Sequence, residues 1–360
     1  MIEQKYFRKK TRKIKIKDMA VGGDAPISIQ SLTNTQTKDI KGTVLQIQAL
    51  EKEGVEIIRS AIRDIDDAKA ISAIKKEISV PFVSDIQFDF RLALESIKNG
   101  TDGLRINPGN IGGEDKVKEI VKACKEYGVP IRIGVNSGSI SKELLAKHGG
   151  VNINSLVESA MDEIRILEEL DFREIVVSIK ASDVRMNIEA NREISKRVDY
   201  PLHLGVTEAG TIFRGSIKSA IGIGSLLEEG IGDTIRISLT SNPMDEIPVA
   251  REILTMLGLK KGLKIVSCTT CARTEIDLIS LTEEIEDGLK TINKDLTVAV
   301  MGCPVNGPGE AREADFGVAG GKKEALLFKK GEIIKKVKEE EIVNELFNLI
   351  NGDNYDWFTS

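Results

Sequence analysis

Histidine is nearly missing from this chain, with His148 and His203 the only two in 360 residues, and cysteine is scarce, with four. No apolar run approaches the roughly 20 residues that a membrane-spanning helix needs, and the opening segment MIEQKYFRKK has no apolar stretch behind its charges, which predicts no secretory leader there. Positive charge is not in excess: 51 Lys and Arg against 56 Asp and Glu give a formal net charge of -5, whereas a nucleic-acid binder carries a basic domain. There is no internal repeat and no low-complexity segment. These absences predict a cytosolic globular protein. In that compartment thiols stay reduced, so grouped cysteines point to a metal, a cluster or catalysis before a disulfide.

What is present is enough for a sizeable core: 41% of residues are hydrophobic and 30% charged, with both signs mixed. The length suggests two domains. Eight short β-branched or apolar runs recur through the first two-thirds: PISIQSL (26–32), EIIRS (56–60), PFVSDI (81–86), DGLRIN (102–107), PIRIGV (130–135), EIVVSIK (174–180), PLHLGVT (201–207) and TIRISL (234–239). Helical patterns follow them. In DKVKEIVKACKEYG, Val117, Ile120, Val121 and Cys124 fall on one face at 3.6-residue spacing. Eight strand–helix units in about 230 residues match a closed (β/α)8 TIM barrel. The alternative, an open doubly wound sheet for a dinucleotide, needs a glycine fingerprint after the first strand, and PISIQSLTNTQT has none. Beyond LGLKKG (257–262), strands are expected at KIVSC, LTVAVMG, ALLFK and EIIKKV, with helices near 274–288 and 339–350. The predicted organisation is a barrel over 1–258 and a small α/β domain over 262–360 that holds three of the four cysteines.

Barrel enzymes work at the C-terminal ends of their strands. Arg59 ends the second strand, Asp85 the third, Arg105 and Asn107 the fourth, and Arg132 then Asn136 the fifth. Lys180 ends the sixth, Glu208 follows the seventh, which contains His203, and Arg236 and Ser238 lie in the eighth. Singly, each reads as a surface charge or a structural ion pair. Together, Arg or Lys on five of the eight strands makes a basic mouth suited to a phosphate-rich ligand, because the guanidinium fork pairs bidentately with phosphate oxygens. The loop INPGNIGG (106–113), leading into a helix, adds backbone donors. Glu208 and Asp85 are the candidate proton-transfer or hydroxyl-binding groups.

SCTTCAR places Cys268 and Cys271 in a C-x-x-C pair, and Cys303 follows after thirty-one residues in MGCPVNGPGE. Cys124, on the apolar face of a barrel helix, reads as a core residue. A structural zinc site would want a fourth Cys or His, and both histidines belong to the barrel. Three cysteines suit a [4Fe-4S] cluster with one iron left for another ligand. Glu310 is the acidic side chain of the Cys303 loop, and it reads either as that ligand or as a first-turn acid on a helix starting near AREAD. A radical enzyme on a barrel would group its three cysteines in one barrel loop, which this chain does not.

The segments SLTNTQT, DIQF, GLRINPGNIG, RIGVNSGS, VSIKASD, PLHLGVTEAG, GIGDTIRISLT, SCTTCAR and VMGCPVNGPGEAREADFGVAGG, in that order along nearly the whole chain, resemble the bacterial 4-hydroxy-3-methylbut-2-enyl diphosphate synthases. That resemblance implies a barrel joined to a cluster domain. It also implies reductive ring opening of 2-C-methyl-D-erythritol 2,4-cyclodiphosphate with loss of water, in the methylerythritol phosphate route to isoprenoids. Two electrons would enter through a [4Fe-4S] cluster from ferredoxin or flavodoxin. The family's cluster ligands fall on Cys268, Cys271 and Cys303, with a carboxylate ligand on Glu310. Its diphosphate-binding residues fall on Arg59, Arg105, Arg132, Lys180, Arg236 and Ser238, its polar contacts on Asn107 and Asn136, and its acids on Asp85 and Glu208. Gln87 stands where that family usually carries His, and Thr269 and Ala272 replace its usual Pro and Gly.

The last barrel helix, expected near 245–257, descends from the mouth by about 20 Å, and LGLKKG spans only about the same distance when extended. The cluster domain therefore cannot climb back over its own barrel, which predicts a head-to-tail homodimer with the site shared between chains. The lysine run near 322–338 reads as a solvated hairpin face, with docking of an acidic electron carrier as the alternative. Two other functions remain open at this level. One is a metal-binding regulatory module on a phosphosugar-binding barrel; the other is an iron-sulfur hydratase without net electron transfer.

Overall fold

The computed structural model describes residues 7–290, 295–305, 309 and 312–352. The chain divides into two compact units, the first ending at Leu259 and the second beginning at Lys260. Among the described residues no helix is long and apolar enough to cross a membrane.

The first unit opens with a hairpin, β1 (Ile14–Ile16) against β2 (Met19–Val21). The barrel strands are β3 (Ser28–Leu32), β4 (Ile57–Ala61), β5 (Phe82–Asp85), β6 (Gly103–Ile106), β7 (Ile131–Asn136), β8 (Ile175–Lys180), β9 (His203–Leu204) and β10 (Thr234–Ile235). They pair in parallel, each with its sequence neighbours; β10 returns to β3, and a Val177–Leu202 bridge joins β8 to the start of β9. The outer helices are α1 (Ile40–Lys52), α2 (Ile65–Ile74), α3 (Phe90–Lys98), α4 (Glu114–Tyr127), α5 (Lys142–His148), α6 (Ile153–Glu169), α7 (Val184–Arg197), α8 (Ile212–Glu228) and α9 (Glu246–Met256). All eight expected strands occur in a (β/α)8 barrel.

Local chemistry sets the helix ends. Asp39, Asp64, Asp89, Ser141, Asn152 and Asp183 each accept a backbone N–H of the first turn through the side chain, while Gly128 and Gly149 close α4 and α5 in the left-handed conformation. The buried stripe of α4 is Val117, Ile120, Val121 and Cys124, the four residues its spacing predicts. Two features differ from the sequence reading. The fifth strand is followed by two helices, α5 and α6, and the last two strands keep only two paired residues each. Gly205 follows β9 in tight surroundings, where a Cβ would sit 2.6 Å from Lys180 Nζ and 2.8 Å from the Arg236 carbonyl.

The segment TRKIKIKD, which alternates like a strand, is the first arm of the hairpin. Ile14 and Ile16 are buried and Lys15 is exposed. Ile16 and Val21 pack on Ile57 and Val83, near the N-terminal ends of the second and third barrel strands, away from the catalytic face.

The second unit is a five-stranded sheet in sequence order: β11 (Leu263–Ser267), β12 (Leu296–Met301), β13 (Phe316–Gly321), β14 (Glu324–Lys329) and β15 (Glu332–Lys338). The first three are parallel and the last three antiparallel. Helices α10 (Leu278–Leu289) and α11 (Ile342–Gly352) contribute Leu281, Ile285, Leu346 and Ile350 to its core. The strand FGVAGG was not expected, because three glycines weaken a strand signal. Gly317 is required there by space: a Cβ would lie 2.3 Å from the Phe328 ring.

Ile16 is 7% exposed, and Ile16→Ala should cost about 2–4 kcal/mol of barrel stability through the cavity it leaves. Equilibrium urea unfolding checks this, and a loss below about 1 kcal/mol would show that the hairpin does not seal the barrel floor.

Candidate active site

Parallel register aligns the charged residues before any of them touches. Asp85 pairs across with Arg105, Arg105 with Arg132, and Asn136 with Lys180. Asp85, Arg105 and Arg132 therefore stand in one row across three neighbouring strands. With Arg59, Lys180, Arg236 and Ser238 they line a cleft of about 380 Å3 at the C-terminal mouth. Asn107 and Asn136 line it too, together with Gln87, Phe88, Asn110, Ser139, Ser178 and Thr207. Every proposed substrate-binding residue lies here.

Asp85 joins two of the cations, with Oδ2 3.5 Å from Arg59 Nε and Oδ1 3.3 Å from Arg105 Nη1. Arg105 Nη2 also donates to the Gly134 carbonyl at 3.1 Å. Arg132, 7% exposed, donates to Gln30 Oε1 on β3. Arg236 Nη2 lies 3.4 Å from Glu246 Oε1 on α9; that carboxylate also accepts Ser31 Oγ at 3.1 Å and the Leu239 N–H at 3.1 Å. Lys180 Nζ lies 3.3 Å from His203 Nε2, both side chains being buried. Five cations thus face two paired carboxylates, Asp85 and Glu246, an excess of three.

Burial and mutual repulsion show in the proton affinities. Desolvation pushes the Asp85 carboxyl up, but Arg59, Arg105 and Arg132 more than offset it and hold it below the usual carboxylate value. Arg132 and Lys180 are held well below their ordinary values, first by desolvation and then by neighbouring arginines, and Arg236 is lowered to about 10 for the same reasons. His203 is pushed down by burial, then by Arg132 and Lys180. Arginine does not release its proton in proteins, whereas a buried lysine does so readily. Lys180 is therefore the member of the cluster whose charge is most readily given up.

Several polar atoms in this wall await a partner. Asn107 Oδ1 and Nδ2, Arg236 Nε and His203 Nδ1 are buried without a hydrogen bond, which in a native site points to a ligand or ordered water. Glu208 stands apart from the cleft-lining residues: it is exposed, in the turn after β9, with φ 54°. A non-glycine residue in that region is uncommon. Gln30 and Glu246 are members of the site that the sequence reading missed. Gln30 lies inside the first strand, and Glu246 opens α9 as a first-turn acid; their partners lie 102 and 10 residues away.

In the second unit, β11 and β12 run parallel with Ser267 beside Val300, so Cys268 and Cys303 follow the C-terminal ends of neighbouring strands. The Gly302 N–H donates to Cys268 Sγ at 3.1 Å, and the Glu275 N–H donates to the Gly302 carbonyl at 3.0 Å. Thr274 bonds Cys271 in both directions: its N–H to the Cys271 carbonyl at 2.9 Å, its Oγ1 accepting the Cys271 N–H at 3.1 Å. Cys271 is exposed, Cys303 buried and Cys268 intermediate. An N–H directed at a cysteine sulfur, as Gly302 directs one at Cys268, is the kind of bond that tunes the potential of an iron-sulfur centre. Among the described residues no three His, Cys, Asp or Glu side chains form a group that could hold a metal ion. Glu310 lies outside the described residues. Cys124 is 1% exposed in the barrel core.

A family model described as the GcpE TIM-barrel domain matches residues 11–251, and one described as the GcpE protein C-terminal domain matches 264–352. A protein of Clostridium perfringens named 4-hydroxy-3-methylbut-2-en-1-yl diphosphate synthase (flavodoxin) is 59% identical over 344 residues, 95% of this chain and 99% of that one. Relatives of the same name from Clostridium acetobutylicum and Geobacillus thermodenitrificans are 58% and 54% identical. They align over 96% and 94% of this chain and 99% and 91% of their own.

A polyanion entering this cleft should bring a proton with it. Its charge favours the ammonium form of Lys180, so the lysine rises toward its ordinary pKa and takes up a proton. Calorimetric titration with a diphosphate near neutral pH, in buffers of different ionisation enthalpy, should show uptake of up to about one proton per site. A binding heat independent of the buffer would mean that Lys180 is already charged in the free protein.

Proposed function

The chain belongs to the GcpE family, and from that premise we propose that it converts 2-C-methyl-D-erythritol 2,4-cyclodiphosphate to 4-hydroxy-3-methylbut-2-enyl diphosphate. It is an oxidoreductase of isoprenoid precursor synthesis by the methylerythritol phosphate route, as the names of its close relatives support. The observation that carries the reading is the convergence of Arg59, Arg105, Arg132, Lys180 and Arg236 on one cleft in which, among the described residues, Asp85 and Glu246 are the carboxylates ion-paired to them.

In this reading the diphosphate lies across the five cations, and Ser238, Asn107 and Asn136 take its remaining oxygens. Ring opening breaks a carbon–oxygen bond to the diphosphate, and negative charge grows on the departing oxygen. Guanidinium groups already in place stabilise that charge without reorganising. Asp85, held ionised at neutral pH by Arg59, Arg105 and Arg132, accepts a hydrogen bond from a substrate hydroxyl. That leaves Glu208, which has no ion-pair partner among the described residues, as the proton donor for the hydroxyl lost as water.

Cys268, Cys271 and Cys303 would hold a [4Fe-4S] cluster, with Glu310 as its carboxylate ligand. When bound, the cluster supplies the two electrons one at a time. Flavodoxin is the proposed donor, after the relatives' names; ferredoxin would serve the same chemistry. Docking through the lysine run is less supported, since Lys335, Lys336 and Lys338 are engaged by Glu345, Glu324 and Glu340. A cytoplasmic location suits reduced thiols and such a carrier.

A head-to-tail homodimer completes the proposal. Helix α9 starts at the cleft, where Glu246 meets Arg236, and five residues on Arg251 bonds the Glu53 carbonyl at the end of α1. It thus carries the chain away from the mouth, which supports a cluster domain supplied to each barrel by a second chain.

Protein reconstituted with iron and sulfide should turn over the cyclic diphosphate only with a low-potential reductant. Turnover without reductant would instead indicate an iron-sulfur hydratase, and a colourless zinc protein would end the enzyme reading. Arg132→Ala and Cys303→Ala chains, each inactive alone, should regain up to about a quarter of wild-type activity when mixed, since random pairing makes half of the dimers mixed and each of these has one intact site of two. No recovery in mixtures shown by mass to contain the heterodimer would refute the shared site.

A further inference from the structure

One buried carboxylate of the barrel stands outside the cation cluster. Glu163, on α6, is 6% exposed, and its Oε2 accepts the Gly109 N–H at 3.0 Å. Gly109 belongs to the turn Pro108–Asn110, which leaves β6 for α4. Asn107, which precedes that turn, and Asn110 within it line the cleft. Asn107 is buried with both amide atoms unpartnered, so hydrogen bonds of its own side chain do not set its direction. The backbone does: the Asn110 N–H donates to the Asn107 carbonyl at 2.9 Å, and Glu163 grips the residue between them. A Cβ on Gly109 would meet Glu163 Oε1 at 3.0 Å and Asn107 Oδ1 at 3.4 Å. Carboxylate, turn and carboxamide therefore lie side by side around Gly109.

We propose that Glu163 is a positioning residue for substrate binding: through the Gly109 N–H it holds the 107–110 turn so that the unpartnered Asn107 carboxamide is presented to the substrate. The inference rests on the reading of the cleft as a cyclic diphosphate site. Sequence alone does not point to Glu163, which lies in an ordinary amphipathic helix 54 residues from its partner.

The arrangement is sensitive to pH. Desolvation raises Glu163 to about 7, opposed by the Gly109 N–H and by Arg105 of β6 and reinforced by Asp162 of its own helix. Several charges on the neighbouring helices are engaged by other carboxylates: Lys147 and His148 of α5 by Glu158, Arg192 of α7 by Glu189 and Glu229, and Lys118 and Lys125 of α4 by Asp115 and Asp171. The ionised carboxylate makes the stronger bond to an N–H, so the turn is held best above about pH 7 and loosens as Glu163 takes up a proton. The substrate does not titrate in this range, because each phosphorus of a cyclic diphosphate carries one strongly acidic oxygen.

The test is direct binding of the cyclic diphosphate, without reductant, to the wild type, Glu163→Gln, Asn107→Ala and the double variant, by calorimetry between about pH 6 and 8. Glu163→Gln should weaken binding about fivefold at the upper end, the scale of exchanging a charged for a neutral hydrogen bond. The advantage of the wild type over that variant should grow as the pH rises, the proton uptake at Lys180 being common to both, and the double variant should bind no more weakly than Asn107→Ala alone. Unchanged binding in Glu163→Gln, or losses that add in the double variant, would overturn the proposal. Should Glu163→Gln fail to fold, Glu163→Asp, whose shorter side chain cannot reach Gly109, carries the same expectation, and wild-type affinity in it would overturn the proposal equally. A wild type that does not bind the cyclic diphosphate removes the reading of the cleft and this inference together, whereas normal wild-type binding with an indifferent Glu163 removes only the inference.

Discussion

Five cationic side chains held within one barrel mouth repel one another, and the rest of the barrel is arranged around that repulsion. Water would ordinarily screen such charges, but Arg132 and Lys180 are almost fully buried and the other three nearly so. In that low-dielectric setting like charges cost far more than at a surface. Two carboxylates keep the arrangement tolerable. Asp85 lies between Arg59 and Arg105, and Glu246 ties Arg236 to the start of α9. Lys180, the one member of the set able to release its proton, lies 3.3 Å from His203, and burial and the neighbouring arginines lower the proton affinity of both.

That state is costly without a ligand and cheap with one. A diphosphate replaces the repulsion with charge-assisted hydrogen bonds, so binding and the catalytic step draw on the same stored electrostatic energy. Rigidity is what lets the energy be stored. The strands that bear the charges are backed by a continuous apolar layer running through Ile58, Ile106, Ile133, Ile179 and Ile235, and the Ile16 hairpin packs at the far end. The second unit has its own core and needs no charge cluster, since its chemistry lies in thiols that follow the C-terminal ends of two parallel strands.

Much of this was legible in one dimension. The eight apolar runs and their spacing mark the barrel strands, because a buried parallel strand must be apolar along its length, and basic residues at their ends mark the mouth. The C-x-x-C pair and the glycine-flanked Cys303 mark a cysteine site for the same local reason. What escaped was set by contact rather than by pattern. FGVAGG hides a central strand because its glycines answer to Phe328 and Ile276, not to β propensity. Gln30, Glu163 and Glu246 look like ordinary members of a strand and two helices until the fold brings Arg132, Gly109 and Arg236 to them. Glu208 sits on the expected loop, but outside the lining of the cleft.

By itself the sequence determined which residues could be buried, where the chain turns, and which chemical groups are available, since periodicity, capping and residue type are local properties. Only the tertiary structure decided the protonation balance of the mouth and the direction of its side chains. Proton affinity depends on distances and burial among groups far apart in the chain, and Lys180 differs from a surface lysine only through the arginines and the histidine that the closed barrel packs around it.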